Sequence, residues 1–340
     1  KDLTWEKTYT FGVGVDAVLF DRLTINLDYY QKKTTDLLYN VPVSAVTGWS
    51  VNYKNIGEVQ NKGVEMTVSA DVLKTKDWNW NISANIAKNT NKIKKLYGDD
   101  PEIIISNGQS AVVGASDKIL KPGYDIDSWY TTEWAGVDPA NGDPLWYMTD
   151  ENGNRVTTNS YSKASANRVI CGSSTPDFYG GFSTNLTWRD FDLSAIFGYS
   201  VGGKLYNYMR MEFDSDGAYT DRNQMKLKDG WSRWEKEGDI ATHPLPVYGN
   251  KSNSNSTSSR YLEDASYLRL RNLTIGYNIP VKKFISNLRV YASGENLFVI
   301  SGFSGIDPEV PPLNNGKGTG VATSVYPQTR KFMFGLNITL

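Results

Sequence analysis

From Trp5 to Leu19 the chain reads Trp5-Glu6-Lys7-Thr8-Tyr9-Thr10-Phe11-Gly12-Val13-Gly14-Val15-Asp16-Ala17-Val18-Leu19, and every odd position except Lys7 is apolar. Side chains that repeat with period two line one face of an extended strand, so this stretch predicts a β-strand with one apolar face. After Phe20-Asp21-Arg22 the pattern restarts with Leu23, Ile25, Leu27 and Tyr29 against Thr24, Asn26, Asp28 and Tyr30. The two runs predict a hairpin.

The same pattern recurs along the 340 residues. Val64, Met66, Val68, Ala70 and Val72 answer Trp78, Trp80, Ile82, Ala84 and Ile86; Phe178, Phe182, Leu186 and Trp188 answer Phe191, Leu193, Ala195, Phe197 and Tyr199. Residues 267–279 pair with Leu288, Val290 and Ala292, and a last strand runs through Phe332, Phe334, Leu336, Ile338 and Leu340. A weaker pair, 126–136 with 145–148, flanks the turn signal Asp138-Pro139-Ala140-Asn141-Gly142-Asp143. With it the count is about ten strands of roughly 9 to 13 residues, the length a tilted strand needs to cross a bilayer. The fold class is all-β, and almost nothing repeats with helical spacing. Short connections near 21, 74, 138, 189 and 280 alternate with long ones at 36–61, 89–125, 150–175, 201–264 and 301–328. That segregation predicts a transmembrane β-barrel with short inner turns and long extracellular loops, because a soluble sandwich has no reason to sort its loops by length.

Composition removes other classes. With 36 Lys+Arg against 37 Asp+Glu the net charge is -1, so no basic field exists for nucleic acid. One cysteine, Cys171, cannot form an internal disulfide, and one histidine, His243, rules out schemes that need a His pair. No apolar run approaches the roughly 18 or more residues of a spanning helix. The start at Lys1 carries no signal-like segment, and the chain reads as a fragment with no catalytic set, metal site or cofactor expected. On the apolar faces Lys7 is the lone charge expected, and aromatics gather at strand ends as two interfacial girdles: Trp78, Trp80, Trp188 and Phe191 by short turns, Tyr9, Tyr30, Tyr199 and Phe332 toward long loops. In 267–279 the apolar set changes parity, so a bulge near Arg271-Asn272 is expected. The competing readings are a soluble extracellular β-domain that binds glycans and a β-rich glycoside hydrolase.

Several stretches resemble the C-terminal part of SusC/RagA-like TonB-dependent transporters of Bacteroidota: Leu3-Thr4-Trp5-Glu6-Lys7-Thr8, Asp28-Tyr29-Tyr30-Gln31-Lys32-Lys33-Thr34-Thr35-Asp36-Leu37-Leu38, and Asn55-Ile56-Gly57-Glu58-Val59-Gln60-Asn61-Lys62-Gly63-Val64-Glu65. Ala135-Gly136-Val137-Asp138-Pro139, Ser266-Tyr267-Leu268-Arg269-Leu270-Arg271-Asn272-Leu273-Thr274-Ile275-Gly276-Tyr277 and the ending 332–340 complete the match. The resemblance implies a bacterial outer-membrane barrel of about 22 strands around a plug, which imports oligosaccharides or peptides with energy from the TonB complex beneath a SusD-like lipoprotein lid. Plug, TonB box and the first strands are absent from this chain. Two bare sheet edges are not tolerated in lipid, so it is expected to pair with the remainder of the barrel. Leu340 also departs from the aromatic residue with which the family usually ends.

Candidate cargo contacts are the aromatic and charged residues of 201–264, namely Tyr206, Tyr208, Trp231, Trp234, Asp214, Asp216 and Arg222. A second cluster is Trp129, Tyr130 and Trp134. Aromatic faces suit sugar rings or peptide side chains, and Asp or Arg beside them gives direction. Packing of the loop itself is the plainer reading. Asp150-Glu151-Asn152-Gly153-Asn154 is spaced like a calcium loop but lacks the Gly and Glu that complete one, and reads as a polar turn. The run 250–259, rich in Asn and Ser, reads as mobile.

Overall fold

The computed structural model describes residues 3–42, 51–55, 57–96, 102–105, 117–281, 285–310, 320–323 and 326–339. Nine strands make one antiparallel sheet in chain order: β1 (Lys7–Leu19), β2 (Leu23–Thr35), β3 (Glu58–Lys74), β4 (Trp78–Lys95), β5 (Phe178–Trp188), β6 (Phe191–Val201), β7 (Tyr267–Ile279), β8 (Asn287–Ser301) and β9 (Lys331–Thr339). Leu340 and the turn residues 282–284 lie outside the described residues, as do 43–50, 106–116 and 311–319 of the long connections.

Register carries the apolar face unbroken across the sheet. Val15 faces Leu27, Leu27 faces Met66, Met66 faces Ile86, and further along Phe182 pairs with Ala84 and Phe197. Leu193 then meets Ile275, Ile275 meets Ala292, and Ala292 meets Phe334. The opposite face is polar: Asn81 bonds Asp71 at 3.0 Å, Asn89 and Asn91 both reach Asn61, and Arg289 grips Asp192 at 2.9 Å. Apolar side chains stand bare along the outer face, with Phe334 86% exposed. A soluble sandwich would bury such a face against a second sheet, so its exposure decides against that reading. Trp78, Trp188, Phe191 and Tyr277 stack in series across four strands at the short-turn end, with centroids 4.5 to 5.9 Å apart. That series is the girdle expected there.

The bulge expected at Arg271 is present. Between Leu270 and Asn272 the ladder slips against both neighbours, so Leu268 and Leu270 share the outward face with Leu273, Ile275 and Tyr277 although their numbers differ in parity. Two expectations change. The pair 126–136 with 145–148 does not join the wall: Trp134–Val137 pairs with Pro144–Thr149 in a separate three-stranded sheet, and Ser128–Thr131 belongs to another. Those segments are too short to cross a bilayer, and the turn at 138 sits inside one long excursion between β4 and β5. Lys7 is also not the lone charge on the outward face, because register places Lys33, Lys62, Lys88 and Lys92 there too. All five lie toward the long excursions, where Lys7 pairs with Asp36 at 3.3 Å and Lys33 with Glu58 at 2.9 Å.

Short connections, at 20–22, 75–77, 189–190 and 280–286, thus join the strands at one end of the sheet, while the long connections after β2, β4, β6 and β8 leave from the other. A charge placed on the outward face at mid-strand should cost about 2–4 kcal/mol. Phe182→Lys should therefore shift the unfolding midpoint of the full-length protein, read by gel mobility without boiling, while Ser183→Lys on the polar face should leave it nearly unchanged.

Candidate functional site among the long excursions

The excursions 96–177, 202–266 and 302–330 do not splay apart. Tyr206 pairs in parallel with Val321, Trp129 Nε1 donates to the Lys204 carbonyl at 2.9 Å, and the Tyr161 hydroxyl donates to the Thr257 carbonyl at 2.8 Å. Trp129, Tyr206, Met211, Tyr261 and Val321 form a buried apolar cluster drawn from all three segments. Burial of such side chains is worth about 1.5–3 kcal/mol each, enough to hold the segments as a shared cap.

Beside that cluster lies a buried charge network. Arg210, on the short helix Tyr208–Phe213, donates from Nε to Asp214 Oδ2 at 2.6 Å and from Nη1 to Glu263 at 3.2 Å. Arg260 reaches Asp216 at 2.5 Å with its side chain 1% exposed, and Arg233 reaches the same carboxylate at 2.8 Å. His243 is fully buried, with Nε2 3.0 Å from Asp214 Oδ2 and Nδ1 2.9 Å from Thr242 Oγ1. Burial pushes the His243 pKa below its ordinary value, although the Asp214 bond works the other way. Burial alone would raise the Asp214 carboxyl; the His243 bond and the charges on Arg210 and Arg260 outweigh it and hold that group below the usual carboxylate range. The network is a neutral imidazole inside an arginine–carboxylate lattice, and its chemistry is structural.

Most of the expected cargo contacts prove to be parts of this cap. Trp129, Tyr206, Asp214 and Asp216 are fully buried and offer a solute no surface. Trp231 packs on His243 at 5.1 Å with the Arg210 guanidinium 4.4 Å from its ring, and Trp234 donates to the Pro139 carbonyl at 3.0 Å. Trp134 meets the edge of Trp146 and lies under Arg260, Tyr130 lies under Arg168, and Arg222 pairs with Glu212 at 3.2 Å. Tyr208 is half-buried at the start of its helix. None of the ten lines the hollow described next. The 250–259 run is likewise not loose, since Ser254, Asn255 and Ser258 are buried and Arg260 donates to the Ser254 carbonyl. Asp150 Oδ1 is taken by the Asn152 and Asn154 amides, an Asx turn.

A hollow of about 670 Å³ on the polar side of the wall escaped the sequence reading. It opens between Tyr179 and Ser200 at the tops of β5 and β6, Tyr267 and Arg271 of β7, and the returning segment at Glu309 and Tyr326. Arg269 holds Asp307 at 2.6 Å, Arg269 and Arg271 both contact Glu309, and the Tyr267 hydroxyl donates to Glu309 at 2.8 Å. The signal was available in Asp307-Pro308-Glu309, an acidic pair facing a strand with Arg269 and the bulged Arg271.

An antiparallel wall, apolar outside and polar inside with its long segments folded over one mouth, defines the class as a transmembrane β-barrel. A family model described as TonB dependent receptor-like, beta-barrel matches residues 1–297, and the chain belongs to that family of outer-membrane proteins. It is 33% identical over 362 residues to TonB-dependent receptor P3 of Formosa agariphila, covering 99% of this chain and 34% of that protein. It is 30% identical over 350 residues to TonB-dependent receptor SusC of Bacteroides thetaiotaomicron, covering 99% and 32%. The solved RagAB peptide transporter aligns with a TM-score of 0.81 at 31% identity, over 99% of this chain and 36% of the matched one. The chain spans about a third of the length of the relatives it matches.

Two outcomes follow for the cap. Asp216→Ala leaves Arg260 buried and unpaired, a loss of about 3–5 kcal/mol, so hydrogen exchange across 202–266 should rise sharply while β5 and β6 stay protected. Acid should also loosen the cap. An unfolded loop protonates His243 near its ordinary value of about 6.5 whereas the folded one resists. The stability this neutral ring confers is complete above that pH and is lost as pH falls below it, and His243→Gln should flatten exchange rates over the same window.

Proposed function

We propose that this chain is wall and outer mouth of an active importer, taking up oligosaccharides or peptides through the outer membrane with energy from the TonB complex. The observation that carries the reading is the asymmetry of the two ends: short connections at one, and at the other a folded cap over a polar-lined wall. A passive pore needs no such cap. In this reading the long excursions face outside, a SusD-like lipoprotein closes on them, and the remaining strands and plug pair with the free edges of β1 and β9. Exposed Ile240 and Tyr248, beside Leu245, give such a lid an apolar rim to rest on. Trp231, Trp234, Tyr208, Tyr130 and Trp134, the half-buried members of the expected cargo set, are proposed to steady the mouth and touch cargo only at their exposed edges. The relatives are described as receptors and a transporter, and the reading is transport rather than catalysis.

Sidedness is the direct test. Single cysteines at Asp21 or Asp190 should resist a membrane-impermeant maleimide on intact cells, and cysteines at Lys251 or Asn253, both exposed, should react. Cys171 adds little background, because burial pushes its thiol up to about 11 and the nearby Glu133 charge adds to that. Reversed labelling, or uptake of radiolabelled cargo that survives loss of TonB, would remove the importer reading.

A further inference from the structure

We infer that the outward face of β3 and β4, just above the apolar band, binds the phosphorylated sugar headgroup of a membrane glycolipid. The inference rests on the sidedness of the import reading, which puts that face in the outer leaflet.

Height and register argue first. Lys7 stands 12 residues from the short-connection end of β1 at Leu19, Lys33 stands 10 from Leu23, Lys62 stands 12 from Lys74 and Lys88 stands 10 from Trp78. At ~3.3 Å per residue and a tilt of roughly 35–45°, that is a climb of about 28 Å, a little beyond an apolar band of about 25 Å. The four lysines therefore share one level, where headgroups begin. At the same height β5 to β8 turn Phe178, Val201, Leu268 and Phe298 outward, so the basic character belongs to one arc of the wall and not to a belt around it.

Charge balance then locates the site within that arc. Lys7 and Lys33 are answered by Asp36 and Glu58. Lys62, Lys88 and Lys92 are exposed and have no carboxylate partner among the described residues. Lys62 faces Thr90 across the ladder, which makes Lys88 and Lys92 its two diagonal neighbours, at the ~7–8 Å over which long side chains meet. Three like charges without a counter-ion repel one another, and an anion seated among them reverses the sign of the interaction. Phosphate suits such a tripod of compact point charges.

The surroundings select a glycolipid. Thr90 and Gln60, on the same face, offer a hydroxyl and an amide to sugar hydroxyls. Directly below, Val64, Met66 and Ile86 carry the face into the hydrocarbon, as acyl chains hung from the same headgroup require. A free anion would use the tripod but leave the apolar strip unused, so the occupant is lipid.

The test uses the full-length protein, delipidated in detergent. Fluorescent lipid A, an acylated glucosamine disaccharide with phosphate, is titrated against it in parallel with the phosphate-free form and with phosphatidylglycerol. Lipid A should bind, and the other two at least ten-fold more weakly. Lys62→Gln should weaken lipid A about five-fold, and the triple variant Lys62→Gln, Lys88→Gln, Lys92→Gln at least twenty-fold. The corresponding triple arginine variant should keep most of the affinity, and Lys32→Gln, which register turns to the polar face, should keep all of it. Unboiled gel mobility shows that each variant is folded. Unchanged affinity in the triple glutamine variant, an equal loss in Lys32→Gln, equal binding of the phosphate-free form or of phosphatidylglycerol, or full displacement by inorganic phosphate would each overturn the site. Maleimide labelling is scored separately: reversed labelling removes the sidedness reading, whereas the expected labelling with lipid A unaffected removes only the glycolipid site.

Discussion

Everything in this chain answers to the requirement that no backbone amide or carbonyl be left unpaired in hydrocarbon. Nine strands satisfy it by lateral pairing in chain order, and antiparallel neighbours joined in that way need only tight turns at one end. Once the ladder is fixed, period-two alternation does the rest. Each residue is committed to lipid or lumen by its parity, and one residue of slip would exchange the two faces.

The bulge at Arg271 shows how that constraint is reconciled with a site. An extra residue between Leu270 and Asn272 keeps Leu268 and Leu270 outward together with Leu273 and Ile275, while Arg271 turns inside beside Arg269. Without it, one half of β7 would turn its leucines into the lumen. The same insertion places two cations where the returning segment can be gripped. A local irregularity in pairing thus builds the luminal hollow at no cost to the lipid-facing band.

The wall was legible because it is periodic. Strand pairs at 5–30, 64–86, 178–199 and 267–292, the girdle of Trp78, Trp188 and Phe191, and the β7 bulge all follow from residue parity. The cap was not. Its strands are three to six residues long, below the length at which alternation can be told from chance, so 126–136 with 145–148 read as wall. Trp129, Tyr206, Asp214 and Asp216 read as contacts for the same reason. Aromatics among charges are the signature both of a ligand cleft and of a small polar core, and only burial separates them. Arg260 meets Asp216 across 44 positions, a distance that spacing does not announce.

The packing of the cap also constrains how the mouth can open. Splaying the excursions apart would expose Trp129, Tyr206 and Tyr261 and strip Arg260 and Arg210 of their carboxylates, a combined loss far above thermal energy. Tyr206 and Val321 further stitch 202–266 to the segment that returns to β9, so the cap is tied to the wall on both sides of the hollow. Such a body does not hinge within itself. It behaves as a fixed rim, and any gating at this mouth falls to elements outside it. A rim that keeps its shape also keeps the hollow between Tyr179 and Tyr267 preorganised, and preorganisation lowers the ordering cost that binding in it would otherwise meet.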